Sequence, residues 1–77
     1  SCFMAVTVYS KPDCPQCDST RRDLEILGIE YALVDLMQDR DALARLVAQG
    51  YRSAPVVETD RGSWSGYDRE RIRALLA

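Results

Sequence analysis

Residues 10–20 read SKPDCPQCDST, and the placement of this stretch decides the fold. It follows MAVTVYS (residues 4–10), a β-branched and aromatic run that predicts a short strand. Lys11-Pro12 ends that strand and opens a loop carrying Cys14 and Cys17. From Pro15 to Leu27 the spacing predicts a helix, with Pro15 in the first turn, Asp18 soon after, Leu24 and Leu27 three apart, and Gly28 as the stop. Cys14 then falls at the N-cap, with Cys17 one helical turn deeper.

Outward from this unit, IEYALVDL (residues 29–36) predicts a second strand. Its apolar density predicts burial on both faces, as in a central parallel strand. Asp39 or Asp41 starts a second helix in which Leu43, Leu46 and Val47 share one face, and Gly50 stops it. APVVET (54–59) reads as a third strand, DRG (60–62) as a tight turn and SWSG (63–66) as a short fourth strand. In SGYDRERIRALLA (65–77), Ser65 is the expected N-cap, with Asp68 three positions on and Ile72, Leu75 and Leu76 as the apolar face. The order is β-α-β-α-β-β-α, an α/β class. A right-handed crossover makes the first two strands parallel, and the last two form a hairpin. One small four-stranded mixed sheet with three helices, distributed over both faces, is expected.

With 77 residues the chain forms one domain spanning residues 1–77. Met4 is a candidate natural start, which makes residues 1–3 an expression remnant or a disordered terminus. A net charge of −2 with interspersed signs leaves no basic stripe, so nucleic acid is not an expected partner. No apolar run reaches the roughly 18 residues that span a bilayer, and SCFMAVTVY has no charged n-region or cleavage site, so no membrane role is expected and the cytoplasm is the default location.

A closed structural zinc site takes four Cys or His ligands, whereas this chain holds Cys2, Cys14, Cys17 and no histidine. Intramolecular zinc fails by ligand count, and no metal ligand is assigned. A module in which two chains pool Cys14 and Cys17 around zinc or an iron-sulfur cluster stays open. As a structural staple the pair closes a very short loop and removes little unfolded-chain entropy. A redox pair explains more. A thiol at a helix N-terminus faces unpaired N–H groups and the positive end of the helix dipole, which favour the thiolate. Cys14 is then the nucleophile, and the more deeply placed Cys17 resolves the mixed disulfide. Lys11 adds positive potential, while Asp13 and Asp18 oppose it. Cys2 has no assigned role.

From Met4 onward the chain resembles the glutaredoxin/thioredoxin superfamily, and within it the NrdH-redoxins. The resemblance rests on TVYSKPDCPQC, GIEYALVDL, GYRSAPVV and WSGYDRERI, in that order. It implies a thioredoxin fold, a cis Ala54-Pro55 bond and an Ala54 backbone that pairs with extended substrate chain. It also implies substrate contacts from Lys11, Pro15 and Gln16, and from Trp64, Ser65, Gly66 and Tyr67 in place of the Gly-Gly segment with which typical glutaredoxins hold glutathione. On that reading Trp64 and Tyr67 present a flat apolar edge to a protein partner; the alternative is that both aromatics are core or edge packing, which for Trp64 is an equal rival. The family takes NADPH electrons from thioredoxin reductase and passes them to class Ib ribonucleotide reductase; the expected protein is a monomer with no bound cofactor, working through a Cys14–Cys17 disulfide. A glutathione-dependent glutaredoxin is the alternative, favoured by Pro15 inside the cysteine pair and by Lys11 and Arg52 as carboxylate binders. YDRE (67–70) also departs from the family's usual Phe, basic or Gln, Pro, Asp.

Overall fold

The computed structural model describes residues 5–76; the readings made for Cys2 and Met4 lie outside the described residues. Along the chain come β1 (Val6–Ser10), α1 (Pro15–Ile26), β2 (Ala32–Asp35), α2 (Arg40–Ala48), β3 (Val56–Thr59), β4 (Gly62–Ser65) and α3 (Arg69–Ala74). The strands form one mixed sheet in the order β2-β1-β3-β4. β1 runs parallel to β2, with Thr7 opposite Ala32 and Ser10 opposite Asp35. It runs antiparallel to β3, with Val8 opposite Val57, and β3 pairs with β4 as a hairpin.

Because strand side chains alternate between faces, the two central strands feed two cores. Val6, Val8 and Val57 join Trp64 on one face, beneath Leu24 of α1 and Ile72 and Leu75 at α3. Tyr9 and Val56 point to the other face, where Leu36, Ala42 and Leu46 cover them. Each fully buried Leu, Ile or Val side chain in these layers contributes about 1.5–3 kcal/mol relative to exposure. Arg45 also donates to the Tyr9 hydroxyl at 2.6 Å and to Glu58 at 3.2 Å, tying α2 to β1 and β3.

Both long helices end as expected. Gly28 adopts φ 72 and Gly50 φ 98, a left-handed conformation that costs glycine little. Gly28 N–H donates to Glu25 and Ile29 N–H to Leu24, while Gly50 and Tyr51 repeat the pattern on Val47 and Leu46. These are Schellman closures, and they satisfy two of the last carbonyls of each helix.

Four expectations need correction. β2 is an edge strand rather than a central one, and Leu33 is 49% exposed. The apolar density of its segment is shared out: Ile29 and Tyr31 pack on one core from the connection before the strand, and Val34 and Leu36 pack on the other. In α2 the inward pair is Ala42 and Leu46, whereas Leu43 and Val47 are exposed; the buried stripe is rotated from the expected one. At α3 the N-cap is Asp68, which accepts from Arg71 N–H at 3.1 Å, rather than Ser65. Ser65 is still paired in β4, opposite Val56, and Gly66 N–H donates to the Pro55 carbonyl at 2.8 Å, so the helix starts one turn later. Leu76 is exposed rather than part of the apolar face.

Candidate active site

β1 delivers the chain to a loop at its C-terminal end, and α1 begins inside that loop. Asp13 has φ 55, a left-handed conformation that Asp tolerates better than most residues, and this turn sets Cys14 at the N-cap. Cys14 is extended (φ −121, ψ 98), its Sγ accepts from the Cys17 N–H at 3.2 Å, and its carbonyl accepts from Asp18 N–H at 3.1 Å. The N-cap role normally filled by a hydroxyl or carboxylate is thus taken by sulfur. That N–H and the helix N-terminus behind it favour negative charge on Cys14 Sγ.

Cys14 and Cys17 are joined as a disulfide, with Cα atoms 5.2 Å apart. Cys14 retains 7% of its surface and Cys17 only 1%, so an incoming sulfur reaches Cys14 first. Facing Cys14 is the cis Ala54–Pro55 step that the resemblance implied. The Ala54 carbonyl oxygen is 3.9 Å from Cys14 Sγ, so the backbone of the facing loop borders the reacting sulfur. Among the described residues no group of three or more His, Cys, Asp or Glu side chains gathers in metal-binding proximity.

The segment after β4 closes the other side. Besides the Gly66 bond to Pro55, Tyr67 N–H donates to Gln16 Oε1 at 3.3 Å and the Tyr67 hydroxyl donates to Asp23 Oδ2 at 2.5 Å. Gly66 adopts φ 85, a conformation that favours glycine, and a Cβ there would lie 3.7 Å from Gln16 Oε1, an ordinary van der Waals distance. The hydrogen bond to Asp23, then desolvation, raises the Tyr67 phenol above the ordinary tyrosine range. Gln16, Pro55, Gly66 and Tyr67 are therefore one connected rim around the disulfide.

The expected site residues divide in three. Pro15 and Gln16 are exposed beside the cysteines, Ala54 borders Cys14 Sγ, and Gly66 and Tyr67 hydrogen-bond to Pro55 and Gln16. Lys11 and Arg52 are exposed and line a groove together with Ala54. For Trp64 the core-packing alternative holds: it is buried in the core, with the Arg71 guanidinium 5.6 Å over its ring, and does not form an exposed edge. Its position on the inward face of β4 turns the indole under the sheet, while its neighbour Ser65 is exposed. Asp23 was not singled out from the sequence; it lies 44 positions from Tyr67, and no local signal joins them.

The arrangement suits thiol–disulfide exchange. It offers one accessible sulfur stabilised by a backbone N–H, a second sulfur within bonding reach, and an adjacent backbone acceptor. Comparison with known proteins agrees. Residues 6–63 match the Glutaredoxin family profile. The glutaredoxin-like protein NrdH of Salmonella typhimurium is 39% identical over 94% of this chain and 89% of its own length, and that of Escherichia coli K12 is 36% identical over the same shares. A solved structure of NrdH-redoxin from Escherichia coli, described as a glutaredoxin-like protein with a thioredoxin-like activity profile, superposes with a TM-score of 0.90 at 35% identity, covering 92% of this chain and 93% of that one. A protein with this cysteine pair, this fold and these relatives belongs to the glutaredoxin family of thiol–disulfide oxidoreductases, as one of its NrdH-like members.

Proposed function

We propose that this protein is a cytoplasmic electron carrier that accepts electrons from an NADPH-dependent thioredoxin reductase and delivers them to protein disulfides, with class Ib ribonucleotide reductase as the principal acceptor. The Cys14 thiolate attacks one sulfur of the acceptor disulfide, forming a mixed disulfide and expelling the other sulfur as a thiolate that solvent protonates. The Cys17 thiolate then attacks Cys14 Sγ, closing the Cys14–Cys17 disulfide and releasing the acceptor's second thiol. Two electrons from the reductase restore the dithiol.

The observation that carries this reading is the rim in which Gly66 and Tyr67 are closed against Pro55 and Gln16. Gly66 and Tyr67 spend their backbone N–H groups on Pro55 and Gln16, so neither remains to receive a small anionic tripeptide. The thioredoxin-like activity profile attributed to the Escherichia coli NrdH-redoxin supports the same choice of reductant. Lys11 and Arg52 beside Ala54 favour a second reading, a glutathione-dependent glutaredoxin. The deciding experiment is NADPH-coupled disulfide reduction with thioredoxin reductase and, in parallel, with glutathione plus glutathione reductase. Turnover with thioredoxin reductase alone is expected; turnover with glutathione alone would replace the proposal with the second reading.

A further inference from the structure

On the sheet face opposite α2, a cleft of about 110 Å³ opens between α1 and α3, lined by Asp23, Ile26, Leu27, Arg69 and Arg73. Arg69 and Arg73 are one helical turn apart, so both stand on the edge of α3 that meets α1. From α1, Ile26 supplies an apolar wall that is 74% exposed. Arg22, one turn before Ile26, is also exposed, and both Arg22 and Arg69 lie close enough to act electrostatically on the Tyr67 phenol. Tyr67 bonds through its N–H to Gln16, between the two cysteines, and through its hydroxyl to Asp23 in the cleft. The cleft is therefore continuous with the rim of the disulfide.

Charge on this surface is unbalanced. Arg21 and Arg71 pair with Asp18 and Asp68, whereas Arg22, Arg69 and Arg73 have no ion-pair partner among the described residues. Asp23, the carboxylate lining the cleft, already accepts from the Tyr67 hydroxyl, and Glu70 pairs with neither neighbouring arginine. On a chain of net charge −2, this exposed cationic cluster complements an acidic surface. We propose that Arg69 and Arg73, assisted by Arg22 and Ile26, dock an acidic patch of the reductase while its reactive sulfur engages the disulfide, a surface that presupposes the electron donor proposed above. The reductase is the partner that meets the oxidised protein, and in that state the Tyr67 bonds join the cleft to the rim. Guanidinium forks pair with carboxylates in a planar, two-bond geometry. Side chains one helical turn apart start about 5–6 Å from each other, so the arginine pair fits two Asp or Glu residues one helical turn apart on the reductase, with an apolar neighbour against Ile26.

The test follows reduction of the oxidised full-length protein by NADPH and thioredoxin reductase, with dithiothreitol as a small uncharged reductant in parallel. The Arg69→Glu, Arg73→Glu double variant should raise KM with the reductase roughly threefold to tenfold at low salt, with kcat little changed and the gap closing in high salt. Its rate with dithiothreitol should match that of the unmodified protein. The Arg69→Lys, Arg73→Lys variant should recover most of the loss, and Arg40→Glu, an exposed charge reversal on α2, should leave KM near its original value. An unchanged KM in the double glutamate variant would overturn the docking proposal alone. So would an equal rise in Arg40→Glu, an equal loss with dithiothreitol, or a defect confined to transfer from the reduced protein to class Ib ribonucleotide reductase, which would assign the surface to the acceptor. If the unmodified protein turns over with glutathione and not with thioredoxin reductase, the proposed electron donor fails, and the docking proposal falls with it.

Discussion

Thr20 lies in α1, three residues beyond Cys17; it is completely buried, and its hydroxyl has no hydrogen-bond partner. A hydroxyl in that state costs about 1–3 kcal/mol on the scale of protein mutational data. Thr20→Val replaces the hydroxyl with a methyl group of similar size, keeps the β-branched shape and changes helix propensity little. The substitution should therefore stabilise the oxidised protein by about 1–2 kcal/mol. For a domain of this size that corresponds to a rise in Tm of roughly 4–16 °C. Urea unfolding followed by circular dichroism checks it directly: the midpoint should rise with the slope unchanged. A loss of stability would refute the reasoning, because it would mean that the hydroxyl makes a hydrogen bond worth more than its desolvation. Single-turnover disulfide exchange should be unaffected, since the hydroxyl bonds to neither active-site cysteine.

Two further perturbations follow from the corrected geometry. Asp68→Ala should cost about 1 kcal/mol by removing the N-cap of α3, whereas Ser65→Ala should leave stability nearly unchanged; thermal unfolding of both variants tests which residue caps the helix. Tyr67 keeps its proton beyond the ordinary tyrosine value of about 10, because the bond to Asp23 is made by the neutral phenol. The native state then holds a proton that the unfolded chain releases, so this contribution is complete below the ordinary value and is lost as pH rises through the folded one. Asp23→Asn should lower the Tyr67 ionisation range in a tyrosinate absorbance titration; an unchanged titration would contradict the Tyr67–Asp23 contact.

The elements were legible because each carries a local pattern: the β-branched run of β1, Pro15 and Gly28 bounding α1, Asp39 and Gly50 bounding α2. The redox pair was legible for the same reason, since strand, loop and helix start are adjacent in sequence. Strand order was not. The edge position of β2 follows from β3 pairing with β1, a contact between Val8 and Val57 that no local spacing encodes. Trp64 shows a subtler limit. Its motif resemblance pointed to a surface, yet the pleat of β4 turns its side chain inward while Ser65 faces out. The connected rim eluded sequence reading because Gln16 and Tyr67 meet across 51 positions. Its members were individually expected; Asp23, which accepts from the Tyr67 hydroxyl, was not.

The account stands on Cys14 as the attacking sulfur, and the most direct measurement is intact-mass analysis of Cys14→Ser and Cys17→Ser proteins after reaction with a disulfide peptide. The account predicts that Cys17→Ser accumulates a mixed disulfide through Cys14, because no second sulfur releases it, while Cys14→Ser forms no adduct and shows no turnover. An adduct on Cys17 in the Cys14→Ser protein, or turnover by that variant equal to the unmodified protein, would contradict it.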